Sequence, residues 1–220
     1  MPNKLNQTVI AVRRELRWPV VVALLAICVL FLSLPERLTF GPNWLLPAGV
    51  VLLLVPTAVS HRIGRHTLNF GFGVSVLTLI TFGLASSLGL LIAGLPGKRQ
   101  PPEELLRSAV ALWISNVLLF ACWYWRLDAG GPHSREINAS HSRAAFLFPQ
   151  LSLPEGSKLA DPTWKPKFVD YLFLAFNTST AFSPTDVPVL GRWAKALMMV
   201  QSSISLATIA ILAARAINIL

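Results

Sequence analysis

Charge is scarce in this sequence. Only 13% of its 220 residues are Asp, Glu, Lys or Arg, about half of the ~25% found in soluble domains. That shortage excludes an ordinary soluble globular fold. With 54% hydrophobic residues, it also excludes intrinsic disorder, which needs low hydrophobicity and high net charge. Cysteine is scarcer still. Cys28 and Cys122 both lie inside apolar runs, so they form neither a disulfide framework nor a thiolate metal site. Clustered acids, bases and nucleophiles are missing from the apolar runs. No Gly-x-Ser-x-Gly, His-Glu-x-x-His or phosphate loop occurs. The chain therefore reads as a non-enzyme that needs no cofactor. His61 and His66 stand five apart, which does not place them on one helix face, so no metal site is expected.

What is abundant is long apolar runs. They predict an all-α, multi-pass membrane protein with about five transmembrane helices and one short re-entrant helix. The spans are expected near 18–34, 44–60, 70–95, 105–125 and 193–219. Pro47 and Pro56 fall inside the second, which membrane helices tolerate because neighbours satisfy freed carbonyls. The third carries Gly71, Gly73, Gly83, Gly89 and Gly94, small residues that let helices approach closely. The fourth ends in Trp123-Tyr124-Trp125-Arg126, an interfacial aromatic belt with a basic anchor. The stretch 127–167 holds Gly130-Gly131-Pro132 and many of the charges, and reads as a polar surface loop in which Phe146-Leu147-Phe148 can dip into the interface. Residues 168–181 are apolar again but too few to span, as expected of a re-entrant or buried segment. Three regions follow: 1–126, 127–167 and 168–220. No small-residue cleavage site follows the first run, so a cleavable signal peptide is not expected.

The net charge is +9. In a soluble protein such a balance suggests nucleic acid, but here the basic residues sit at the ends of apolar runs, as Lys4, Arg13, Arg14 and Arg17 do. That is the placement of residues facing anionic lipid heads, and nucleic acid is not an expected partner. Counting Lys and Arg puts the N-terminus, Arg62, Arg65 and the 127–167 stretch inside, in the inner (plasma) membrane of a bacterial cell.

The last 51 residues, DYLFLAFNTSTAFSPTDVPVLGRWAKALMMVQSSISLATIAILAARAINIL, order a short apolar helix, a Thr/Ser-rich turn, an Asp, a Gly-Arg pair and a long span. This resembles the pore module of tetrameric cation channels of the potassium-channel type. The whole chain, with its WYWRLDAGGP segment, also resembles a family of bacterial integral membrane proteins to which no activity is assigned. The channel resemblance implies a homotetramer, with Thr180 to Pro184 on the filter and Asp186 as the acid just past it. Phe182 and Pro184 fill the positions of the two filter glycines. Proline fixes φ and lacks an N–H, so selectivity for potassium is not expected. The Thr178, Thr180, Ser183 and Thr185 hydroxyls and a ring of Asp186 would then coordinate monovalent cations with weak selectivity. The alternative is a non-conducting structural or partner-binding protein on the same module. Potassium-type loops enter from outside, whereas the charge count places this one inside. Either the second segment does not span, or the count misleads, or the module carries no pore.

Other polar residues stay open to two readings. Gln201, Ser205, Thr208 and Leu212 recur at helical spacing, either lining a pore or bonding between helices. Ser202 and Ser203 extend that patch. Asn116 is expected to join helices, Asp170 to cap the short helix, and Arg215 to snorkel to the interface. Asn138-Ala139-Ser140 is a chance glycosylation match.

Overall fold

The computed structural model describes residues 16–94, 101–137, 144–154, 157, 164–180 and 187–217, with the side chains of 102 and 215–217 excepted. Lys4, Arg13, Arg14, Asn138 to Ser140, Phe182 to Asp186 and the side chain of Arg215 lie outside the described residues. Among the described residues the fold is all-helical, with one isolated antiparallel bridge between Phe146 and Val189. The helices are α1 (Trp18–Leu32), α2 (Leu45–Arg62), α3 (His66–Gly94), α4 (Pro102–Leu127), α5 (Pro132–Ile137), α6 (Phe168–Thr180) and α7 (Arg192–Ile217).

Four of them, α2, α3, α4 and α7, are long and apolar enough to cross a membrane. The expected first span is shorter than the sequence suggested. Its 15 residues extend about 22 Å, against a hydrocarbon core of about 30 Å. Pro19 opens this helix in its first turn, where a missing N–H costs nothing. Its other end is closed by Ser33, whose Oγ donates to Leu30 O at 2.7 Å, and by Pro35 beyond. In α2 neither proline interrupts the helix. Pro47 lies in its first turn, and the helix continues past Pro56, where Thr57 Oγ1 donates to Leu53 O at 2.7 Å.

The helices run back and forth between two ends. Arg17 reaches His61 (2.9 Å) and Glu136 (3.7 Å), and His66 stacks on His133. The start of α1, the turn between α2 and α3, the end of α4 and α5 therefore share one end. At the opposite end Arg37, beyond α1, pairs with Glu104 in the first turn of α4. α4 lies at the centre, packed against α1, α3, α6 and α7. Its Leu112, Leu119, Phe120 and Tyr124 are fully buried.

Part of the 127–167 stretch is core rather than surface. Phe146 and Phe148 are buried. Phe146 meets Tyr124, Tyr171 and Trp193 edge-on at 5.1–6.3 Å between ring centroids. The chain reaches that position through a sharp reversal after α4. Ala129, Gly130 and Gly131 all have positive φ, of 51°, 79° and 90°. A Cβ at Gly131 would stand 2.9 Å from Arg126 O, so only glycine fits there without strain.

Candidate functional site

The module 168–217 is built around a helix that stops half-way. α6 starts beside the end of α4, where Tyr171 donates to the Asp128 carboxylate at 2.7 Å. Thirteen residues later it ends level with Ser205, whose Oγ donates to Ser179 O at 2.6 Å. Ser205 is itself thirteen residues from the start of α7 at Arg192. Both helices therefore begin at the same end of the bundle, and α6 goes only part of the way. Asp170 secures its start from the third helical position. Its Oδ2 accepts from Lys167 N at 2.7 Å, the returning half of a capping box, so it holds the helix end without being the N-cap itself.

The polar stripe on α7 faces inward. Gln201, Ser205 and Thr208 are buried within the single chain. Gln201 Nε2 donates to Ala175 O (2.7 Å) and Ser179 Oγ (2.8 Å), and its Oε1 accepts from Tyr124 OH. Trp113 Nε1 donates to Ser205 Oγ at 3.0 Å, and Asn116 Nδ2 to Gln201 O at 3.2 Å. Asn116 thus joins α4 to α7, as expected. Ser202 Oγ donates to Thr178 O at 3.2 Å. The result is a three-helix polar lock between α4, α6 and α7, with Gln201 at its centre. Of the two readings of the stripe, the geometry displays bonding between helices. The hydroxyls of Thr178, Thr180 and Thr208 each donate to the carbonyl four residues back in their own helix, at 2.7–2.9 Å. Thr178 is buried and Thr180 exposed. The outward side of α7 carries Met199, Val200 and Leu206 together with Ser202 and Ser203.

Sequence reasoning missed the acid that anchors this unit. Asp128 is fully buried. Its Oδ1 accepts from Ala145 N and its Oδ2 from Tyr171 OH, both at 2.7 Å. Its backbone carbonyl accepts from Arg135 Nη1 at 2.8 Å. One carboxylate thereby ties the end of α4 to the returning 144–148 segment and to α6. The available signal was its position, directly after the aromatic belt and before Gly130-Gly131.

A second polar group occupies the same end, between α1, α2, α3 and α4. Arg126, expected as an interfacial anchor, is instead buried. Its Nη2 donates to the carbonyl and the Oδ1 of Asn69, and its guanidinium stands 5.5 Å from the Phe70 ring centre. Its Nε has no hydrogen-bond partner. Gly73 makes room for it, since a Cβ there would come within 2.4–2.7 Å of the guanidinium. Gly71 and Gly89, by contrast, face open space, so they serve no close helix approach within the chain. Arg126 borders a cleft of about 280 Å³ that also takes in Arg17, His61, Leu24, Leu54 and Leu77.

Across α5, His133 and His66 lie 3.4 Å apart, ring centre to ring centre, and 9° from parallel. Partial burial, and then the neighbouring His66, push the His133 imidazole below its usual range.

Comparison with protein-family models, with curated proteins and with solved structures gives no match.

Proposed function

We propose that this chain is a multi-pass protein of the cell inner membrane whose α6–turn–α7 unit is a re-entrant pore module, passing cations where copies assemble. The observation that carries the reading is the half-length α6. It enters the bundle from the end at which α7 begins and is locked at the depth of Ser205 by Gln201 and Ser179. Backbone that leaves a helix at membrane depth is tolerated only where protein buries it or water reaches it. The chain between Thr180 and Val187 carries Ser183, Thr185 and Asp186, oxygen donors suited to a hydrated cation.

The apolar exterior supports the membrane. Val29, Leu52, Val55, Phe82 and Met199 are all more than half exposed, more than a water-facing surface carries without a partner. Arg17, Arg62, Arg65, Arg126, Arg135 and Lys165 gather at the end where α6 enters. The positive-inside rule makes that end cytoplasmic, so the loop enters from the cytoplasmic face, opposite to the potassium-type arrangement.

The test is native mass spectrometry of the detergent-solubilised protein, then conductance in a planar bilayer. A tetramer whose cation current falls on Asp186→Asn is expected. A monomer or dimer, or a silent tetramer, would overturn conduction. A second reading is a non-conducting membrane scaffold on the same module. Its support is the burial of Gln201, Ser205 and Thr208 inside the single chain, where they bond to protein. A silent tetramer is its expected result.

A further inference from the structure

The cleft between α1, α2, α3 and α4 grades from cationic to apolar along one direction. Its polar members come from the basic end: Arg17 precedes α1, His61 is in the last turn of α2, and Arg126 is near the end of α4. Its deeper members are aliphatic. Leu24 is seven residues into the bundle from Arg17, Leu54 seven from His61, and Leu77 eight from Asn69. The rim is open to the outside of the bundle, where Val21 of α1 and Ala58 of α2 are exposed.

Arg126 supplies a second, independent sign. Its side chain is more than nine-tenths buried, yet among the described residues no carboxylate lies within ion-pair distance of it. Among the described residues its hydrogen-bond acceptors are the two oxygens of Asn69, and its Nε is unpartnered. A buried guanidinium without an anion is costly. Arg17, the second cation, shares its charge with Glu136 at 3.7 Å and bonds His61. Two cations thus face one carboxylate at the head of an apolar slot.

We propose that this cleft holds an acyl chain of one anionic phospholipid from the surrounding bilayer, with its phosphate received by Arg126 and Arg17. The inference rests on the membrane reading, but not on conduction. A phosphate supplies the missing counter-charge in bidentate geometry to a planar guanidinium. The acyl chain fills the slot between Leu24, Leu54 and Leu77. Entry is lateral, past Val21 and Ala58. Basic pockets between membrane helices on the cytoplasmic side are suited to such head groups.

The experiment uses the full chain, purified in mild detergent, delipidated and re-exposed to phosphatidylglycerol or phosphatidylcholine. Native mass spectrometry counts the lipid retained per chain. Expected is one retained phosphatidylglycerol, preferred over phosphatidylcholine by roughly tenfold, as two cations near a phosphate provide. Arg126→Gln brings the preference close to unity. Ala58→Trp, at the exposed rim, blocks retention of both lipids while leaving the Arg126 bonds intact, so it covers the case in which Arg126→Gln does not fold. Equal retention of the two lipids by wild type, or an unchanged preference in a folded Arg126→Gln protein, overturns the proposal. So does thermal stabilisation by inorganic phosphate equal to that by phosphatidylglycerol, which would make the site one for a free anion. Recovery of the chain in the supernatant after an alkaline wash of membranes would instead remove the membrane reading beneath it.

Discussion

The α4–α6–α7 half and the α1–α2–α3 half are held together by different forces. In the first, α4 has 67% of its apolar span buried, and polar side chains stitch it to both neighbours. In the second, α3 has 39% and α2 17% of its span buried, against 22% for α7 of the first, and among the described residues few side-chain hydrogen bonds cross between helices. Asn69 Nδ2 to Thr57 O at 2.7 Å is one of them. In lipid the hydrophobic effect does not draw helices together, so hydrogen bonds and close packing must. The first half has both. The second half packs α2 closely against α3 but, among the described residues, has fewer polar links between helices, and it keeps an open cleft. The difference is that the module carrying the short helix is pinned by several side-chain bonds, while the helices around it border the cleft.

The largest effect expected from breaking this contrast is at Asp128. Asp128→Ala leaves Ala145 N and Tyr171 OH without their buried acceptors. It should cost about 3 kcal/mol of stability, the scale of breaking one side of a buried polar pair. Thermal melting in detergent reads it. Asp128→Asn keeps the acceptor for Ala145 N and loses the one for Tyr171, so its loss should be intermediate. A wild-type melting point for Asp128→Ala would mean that α6 is not anchored through this carboxylate.

Next is the lock itself. Gln201→Leu removes two bonds to α6 and one from Tyr124 at nearly constant volume. A loss of about 1–2 kcal/mol is expected, because membrane hydrogen bonds are individually modest. Tyr124→Phe in the Gln201→Leu background should add less than it does alone, since both act on the same bond. Hydrogen exchange should rise in α6 and stay unchanged in α2. Additive losses would separate Tyr124 from the lock.

Much of the helix pattern was legible because apolar runs and proline punctuation are local signals. The all-α class, the short 168–180 helix and the start of α1 at Trp18 follow from them. The first helix was overextended because Leu34 is apolar but lies past the turn that Ser33 closes. The site was legible in composition but not in orientation. The spacing of Gln201, Ser205 and Thr208 specifies one face of a helix, and both a pore and a neighbouring helix satisfy that pattern. Only the packing of α6 decides which one they meet. Arg126 and Asp128 were hidden for a different reason. A charge at the end of an apolar run reads as an interfacial anchor, and burial there depends on distant partners such as Asn69 and Ala145. Phe146 was misread as interfacial because its bridge to Val189 spans over forty residues.

A smaller contrast lies among the glycines. Gly131→Ala forces a side chain into positive φ against Arg126 O and should cost about 1–2 kcal/mol. Gly89→Ala faces open space in a helix interior and should raise stability by up to about 1 kcal/mol. The two melting points should move in opposite directions. A loss at Gly89 would reveal a neighbour outside the single chain, and so would sharpen the case for assembly.

The smallest expected effect is a pH dependence confined to the end where α5 meets the turn between α2 and α3. Burial and His66 hold the His133 imidazole below its ordinary range, with Arg17 pushing the same way and Glu136 opposing. The folded state therefore resists protonation more than the unfolded chain does. Stability from this group is fully present above the unfolded value of about 6.5. It declines as pH falls from there through the lower folded value, because the unfolded state then binds the extra proton. Melting points measured from pH 7.5 down to 5 should fall by a small, solvent-screened amount, and His133→Asn should flatten that part of the curve. The Gln201 lock contains no side chain that titrates in this window. Protection of α6 amides should accordingly hold constant while α5 and the turn between α2 and α3 loosen. Loss of α6 protection over the same range would show that the two halves are coupled through Arg126 and Asp128, two residues apart at the end of α4, rather than independently held.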